Sequence, residues 1–132
     1  MANKQVVLIG AGKLGRALLG YSGFAEYGLN IVAAFDANPQ LVGQTESAKP
    51  ILPLSELERV CCKQKIYIGI ITVPAAHAQE VCDLLIANGI KAIWNFAPVH
   101  LDVPHGILVQ NENMATSLAV LSKHLSAHLK GF

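Results

Sequence analysis

Short apolar runs alternate along the chain with segments in which apolar residues recur at helical spacing. The apolar runs predict buried strands at residues 6–9, 31–35, 66–72, 91–95 and 107–110. The helical spacing predicts helices at residues 14–27, 55–63, 74–88 and about 113–129. Because strands and helices alternate, we expect an α/β fold with a Rossmann-like, doubly wound, mostly parallel sheet.

Local signals place the ends of two of these helices. Ser55 and Glu58 match a capping box, in which a hydroxyl and a carboxylate satisfy free amides at a helix start. Pro74 is suited to open the next helix, and Gly89 is suited to end it.

Length and composition narrow the class of protein. The 132 residues are 52% hydrophobic and only 14% charged, which indicates a single folded domain over residues 1–132. The net charge is +1 without any run of basic residues, so we expect no DNA binding by this chain alone. No apolar stretch reaches the ~18 residues needed to cross a membrane, and we expect no signal peptide before the first strand. Three cysteines without a CxxC spacing favour reduced thiols and a cytoplasmic protein.

The first strand runs into a turn with three regularly spaced glycines, Gly10, Gly12 and Gly15. In a dinucleotide turn the first glycine permits the bend, the second admits the pyrophosphate and the third lets the helix approach the sheet. The phosphates would meet free amides at the start of the helix. The predicted contacts there also include the intervening residues Ala11, Lys13 and Leu14.

Asp36 ends the second predicted strand, 21 residues after Gly15. A carboxylate there accepts hydrogen bonds from the adenosine ribose and repels a 2′-phosphate, so the sequence predicts NADH and NAD as ligands rather than NADP. The alternative is an ordinary glycine-rich turn followed by an incidental acid.

Two further segments follow predicted strands and are expected at the same edge of the sheet. They add to the predicted cofactor contacts the residues Thr72, Val73, Pro74, Ala75, Asn95, Phe96, Ala97 and Pro98. For each segment alone, an ordinary strand-to-helix turn is an equally good interpretation.

With these residues in place, the chain resembles the nucleotide-binding domain of the Rex redox-sensing transcriptional repressors. The resemblance is carried by VVLIGAGKLGRALLGYSGF, IVAAFDANP, PLSELE, IGIITVPAAHAQEV and GIKAIWNFAPVHLDVP, in that order. It implies a homodimer that reads the NADH/NAD ratio without catalysis and leaves its operators when NADH binds. It also implies a ligand-dependent role for Tyr21, paired in the family with an aspartate where this chain has Asn113.

The resemblance further implies a winged-helix DNA-binding domain before the Rossmann domain. The chain starts with Met1-Ala2-Asn3-Lys4 directly before the first strand, so it is expected to be either an excised sensor half or a stand-alone relative. DNA would be bound only through that other domain.

The last predicted helix carries an apolar stripe at spacings of four, three, four and four residues: Met114, Leu118, Leu121, Leu125 and Leu129. The stripe alone is compatible with packing on the domain's own sheet. The Rex resemblance implies instead a helix exchanged between the two subunits of a dimer.

Several histidines could suggest a catalytic or a metal site, but the sequence around them does not support either. His124 and His128 have a zinc-compatible spacing but no evident third ligand, and His77 after Pro74 could touch a ligand phosphate, although simple exposure is the plainer interpretation. We therefore predict no catalytic and no metal-binding residues. The alternatives are a CoA-binding domain like that of succinyl-CoA synthetase and the cofactor domain of an NAD-dependent dehydrogenase.

Overall fold

The computed structural model describes residues 4–44, 49–112, 125–127 and 129. The strands are β1 Lys4–Ile9, β2 Leu29–Asp36, β3 Gly43–Gln44, β4 Pro50–Pro53, β5 Ile68–Ile71, β6 Ala92–Asn95 and β7 Leu108–Asn111. The α-helices are α1 Lys13–Leu19, α2 Leu57–Lys63 and α3 Ala75–Ala87, and 3-10 turns occupy Ser22–Tyr27, Pro39–Leu41 and Leu54–Glu56.

The described strands form one sheet in the order β3-β4-β2-β1-β5-β6-β7. All neighbouring pairs are parallel except β3 and β4, which are antiparallel. The chain moves outward from β1 to β2 and β4, and then returns to the other side of β1 with β5. This confirms the predicted α/β, Rossmann-like, doubly wound and mostly parallel sheet.

Apolar side chains leave both faces of the central strands, as expected for a sheet covered on both sides. Val7 and Ile9 of β1 face a core that includes the buried residues of α2 and α3, whereas Val6 and Leu8 face a second core with Leu19 of α1. Each fully buried side chain of this size contributes roughly 1.5–3 kcal/mol before ordering costs. The β1–β2 register skips one residue of β2, at Val32.

The structure differs from the predicted elements in three respects. The predicted helix over 14–27 ends at Leu19, where Gly20 caps it, and continues as the separate 3-10 turn Ser22–Tyr27. The Ser55 capping box does not form: Ser55 lies within a 3-10 turn, and α2 begins at Leu57 without a side-chain cap. The edge strand β3 and its neighbour β4 were not predicted from the sequence.

The predicted terminal helix over 113–129, including Asn113 and most of its apolar stripe, falls largely outside the described residues. Residues 125–127 and 129 are helical, and the Leu125 and Leu129 side chains are 55% and 61% exposed. Within the described part of the chain, no helix has the length and apolar character needed to cross a membrane.

Candidate functional site

A cavity of about 600 Å³ opens at the carboxyl ends of β1, β2 and β5. This is the place where the strand order reverses, and ligands of open α/β sheets bind there. Its lining consists of Ile9, Gly10, Gly12, Phe35, Asp36, Ala37, Leu41, Leu54, Thr72, Val73, Pro74, His77 and Val81. The cavity therefore joins the glycine turn to the end of β2 and the start of α3.

Two glycines of the turn are required by the fold itself. Gly10 has φ +111°, and a Cβ there would lie 2.6 Å from the Thr72 Oγ1. A Cβ on Gly15 would lie 1.8 Å from the carbonyl oxygen of Gly10, because α1 crosses the turn at close range. Any side chain at either position would displace backbone.

Gly12 differs from both of them. Its φ of −71° and ψ of −164° suit any residue, and a Cβ there would meet nothing within 4 Å. Gly12 nevertheless lines the cavity and immediately precedes α1. The chain's own packing therefore gives no reason for glycine here, whereas a ligand approaching the backbone would need the space that a Cβ fills.

Asp36 connects the end of β2 to the glycine turn. Its Oδ2 accepts the amide of Ala11 and its Oδ1 accepts the amide of Asn38, each at 2.8 Å. Each carboxylate oxygen has a second lone pair, so the half-buried group retains acceptor capacity on the cavity side. The geometry suits hydroxyl donors of a ligand sugar.

Thr72 locks the turn from the neighbouring strand. Its hydroxyl donates toward the carbonyl oxygens of Ile9 and Gly10, at 3.0 and 2.9 Å, and its amide donates to Ile9 at 2.9 Å. Val73 and Pro74 follow it along the cavity wall, and Ala75 begins α3 just outside the lining. Ala11 is fully buried behind the turn, while Lys13 is exposed and Leu14 half-buried at the start of α1.

The segment after β6 lies outside the cavity lining. The buried side chain of Asn95 bonds within its own turn, to the amide and carbonyl of Ala97 and the carbonyl of Val99, and reaches Oδ1 of Asn111 at 3.1 Å. Ala97 is buried and Pro98 is exposed. The structure thus gives Asn95 an internal partner set, and its predicted role as a ligand contact stays a prediction.

Tyr21 also lies apart from the cavity. Its ring packs edge-on against Phe24, at 4.9 Å between centroids. Phe24 in turn contacts Trp94, and Trp94 contacts Phe96, on the face of the sheet that carries α1. Gly23 makes this possible, because a Cβ there would lie 2.2 Å from the Tyr21 ring. The cavity opens instead on the face that carries α3.

Seven lining residues were not among the predicted contacts: Ile9, Phe35, Ala37, Leu41, Leu54, His77 and Val81. Leu41 and Leu54 belong to 3-10 turns beside β3 and β4, the two strands missed by the sequence analysis, so no periodic signal pointed to them. His77 and Val81 are four residues apart on α3, and that spacing on one helix face was available in the sequence.

The model of the CoA binding domain family matches residues 1–99 of the chain. Among curated relatives, the redox-sensing transcriptional repressor Rex of Porphyromonas gingivalis is 43% identical over 123 residues, covering 93% of this chain and 56% of the relative. Rex of Clostridium beijerinckii is 46% identical over 117 residues, covering 89% and 56%. The chain belongs to the CoA binding domain family and, within it, to the Rex branch.

Solved Rex structures share the fold in detail. The Rex-family repressor RSP in complex with β-NADH has a TM-score of 0.88 at 35% identity, covering 96% of this chain and 61% of that one. RSP in complex with β-NAD⁺ and operator DNA has a TM-score of 0.86 at 36% identity, covering 98% and 62%. This Rex-branch chain thus spans less than two thirds of the length of the Rex proteins that it matches.

Proposed function

We propose that this Rex-branch chain is an NAD(H)-binding, redox-sensing domain that acts by ligand binding. The observation that carries the proposal is Gly12, whose glycine identity has no internal packing reason and which lines the cavity beside Asp36. An ordinary glycine-rich turn accounts for Gly10 and Gly15 but leaves Gly12 unexplained. The Rex-family repressor RSP binds β-NADH and β-NAD⁺, which supports the same ligands here.

Each part of the site suits one part of the dinucleotide. Gly12 gives the pyrophosphate access to the backbone and to the free amides at the start of α1, next to Lys13 and Leu14. Asp36 accepts the hydroxyls of the adenosine ribose. Leu41, Leu54 and Val73 offer an apolar wall of the kind that receives a flat purine.

The charge of Asp36 sets the choice of dinucleotide. A 2′-phosphate would stand against this carboxylate in a half-buried site, where like charges repel more strongly than in water. We therefore propose a preference for NADH and NAD⁺ over NADPH and NADP⁺.

The remaining features of a Rex repressor are proposed on the resemblance. They comprise a homodimer formed through the C-terminal helix, operator binding through a separate winged-helix domain, a cytoplasmic location and the absence of turnover. The curated relatives are named as repressors, that is, as regulators rather than enzymes. The predicted ligand contacts of Tyr21 and of the segment Asn95, Phe96, Ala97 and Pro98 belong to the same proposal.

Calorimetric titration of the purified chain with NADH, NAD⁺, NADPH and CoA tests the proposal. We expect tight NADH and NAD⁺ binding and much weaker NADPH binding. CoA belongs in the series because the family description names it. Tighter binding of CoA than of NADH would replace the redox-sensing function with the CoA-binding alternative.

A further inference from the structure

His77 is exposed, as the sequence predicted, and it also lies in the cavity wall. His77 and Asp36 are the two ionisable side chains among the described lining residues. The Thr72 hydroxyl is directed to backbone carbonyls, and the rest of the lining is apolar or glycine. A directional side-chain contact to a ligand from the α3 wall must therefore come from His77.

The helix geometry places the imidazole at the mouth of the cavity. His77 and Val81 are four residues apart on α3, hence on one face and about one turn, ~5.4 Å, from each other. Because α3 starts at the carboxyl edge of the sheet and runs away from it, His77 is nearer the opening and the buried Val81 is deeper. The imidazole has no hydrogen-bond partner among the described residues, so its nitrogens are available to a ligand.

The lining also indicates which half of the dinucleotide lies here. Beyond Asp36, the cavity is walled by Ala37, Leu41 and Leu54, which follow β2 and β4 on one side of β1. No described residue of β6, or of the turn after it, reaches the lining. With the ribose at Asp36 and the pyrophosphate at Gly12, the base lies inside the cavity, between these walls and His77 on α3. The nicotinamide half then extends out of the cavity, toward β6.

We infer that His77 contacts the adenine base and sets the affinity for the dinucleotide without affecting the choice between NADH and NAD⁺. The inference rests on the proposed function. The oxidised and reduced forms differ only in the nicotinamide ring, at the far end of the molecule. A contact at the base changes the dissociation constants of NADH and NAD⁺ by the same factor. His77 therefore sets the total dinucleotide concentration at which the site becomes occupied, and it leaves the response to the NADH/NAD⁺ ratio unchanged.

The experiment compares the unaltered chain with His77→Ala for four ligands: NADH, NAD⁺, ADP-ribose and reduced nicotinamide mononucleotide. Loss of one hydrogen bond predicts Kd values raised roughly threefold to tenfold, by the same factor for NADH, NAD⁺ and ADP-ribose. The mononucleotide, which lacks the adenosine half, should bind the variant and the unaltered chain equally. His100→Ala is the matched control, because His100 is an exposed histidine outside the cavity lining.

A thermal melt of each variant checks that the fold is intact, and His77→Gln provides a second variant of similar size. Unchanged NADH affinity in both variants would overturn the role of His77. A change in the ratio of the NADH and NAD⁺ constants, or a loss for the mononucleotide, would place His77 at the nicotinamide half and overturn the inference equally. Failure of the unaltered chain to bind any of the four ligands would instead refute the proposed function.

Discussion

The Asp36 carboxylate holds the amide of Ala11 at 2.8 Å, although the two residues are 25 positions apart in the chain. The group that should receive the ribose is therefore also a structural brace of the glycine turn. Binding and local stability at this site depend on the same side chain.

Replacement of Asp36 by alanine should affect both properties. Removing the acceptor of the Ala11 and Asn38 amides should lower the free energy of unfolding by roughly 1–2 kcal/mol. NADH affinity should fall, and the advantage of NADH over NADPH should narrow. Urea unfolding and calorimetry measure the two effects.

Asn38→Ala is the control for the Asp36 variant. Its side chain caps the next turn by accepting the amide of Gln40, and its backbone amide still reaches Asp36 after the change. Preserved NADPH discrimination in Asp36→Ala would contradict the assigned role of the carboxylate.

Two glycine variants should separate fold from binding. Gly15→Ala should lower the free energy of unfolding by at least about 1–3 kcal/mol, because its Cβ meets the Gly10 carbonyl. Gly12→Ala should cost less than about 1 kcal/mol, as expected at a helix N-cap, yet abolish tight NADH binding. Denaturant titration and NADH binding are measured on both proteins. If the Gly12→Ala variant bound NADH normally, the main support for the pyrophosphate site would be removed.

Thr72→Val should loosen the turn from the β5 side. The substitution removes a hydroxyl donor to the Ile9 and Gly10 carbonyls while it keeps the side-chain shape, and should cost about 1 kcal/mol of unfolding free energy. Thr72→Ser keeps the donor and should be nearer the unaltered chain. Equal destabilisation of both variants would assign the effect to packing rather than to the hydroxyl.

Thiol titration should distinguish the three cysteines. Burial raises the pKa of the Cys61 and Cys82 thiols, with smaller contributions from neighbouring Cys62 and Asp83 respectively. Cys62 is exposed. A thiol reagent should therefore modify Cys62 rapidly, and Cys61 and Cys82 only after unfolding. If the Cys62→Ser variant also reacted rapidly, this would contradict the burial of Cys61 and Cys82.

The same thiols predict a loss of stability in alkali. Since the folded-state pKa of each buried thiol exceeds the unfolded-state value, the unfolded chain releases its proton first as the pH rises. The stabilisation is complete below the ordinary thiol pKa of about 8.5 and declines as the pH rises above it. Urea unfolding across this pH range should show a smaller decline for Cys82→Ala than for the Cys62→Ser control.

Leu125 and Leu129 provide the test of the proposed dimer. Both are helical, exposed and four residues apart, so they lie on one face. Leu125→Asp with Leu129→Asp should give a monomer by light scattering, because two charges would be placed in an apolar interface. A monomeric unaltered chain at micromolar concentration would rule out the exchanged-helix dimer.

The central strands and the glycine turn were predictable because their signals are local. Buried parallel strands require continuous apolar runs, and the bend at Gly10 requires a residue that tolerates φ +111°. β4 was not predictable, since Pro50 and Pro53 bracket only two apolar residues and its pairing with β2 is a tertiary contact. The capping box failed because Ser55 lies inside a 3-10 turn, where its hydroxyl no longer meets the start of an α-helix.

The predicted site residues likewise fall into those with a local signal and those placed by tertiary contacts. Residues that directly follow β1, β2 and β5 meet at one cavity, because parallel strands end at a common edge. Sequence position alone could not show that Asn95 turns into its own loop, or that Tyr21 packs on the opposite face of the sheet. Both depend on side-chain direction, which is decided by tertiary neighbours.

The hydrogen bonds of Asn95 also give the sheet a mechanical linkage. Its side chain forms hydrogen bonds with the turn after β6 and with the Asn111 side chain, and its backbone carbonyl accepts a hydrogen bond from the Glu112 amide at 2.8 Å. The turn and the end of β7 are thereby fastened to a single residue. A displacement of that turn would therefore also shift Asn111 and Glu112, at the end of β7.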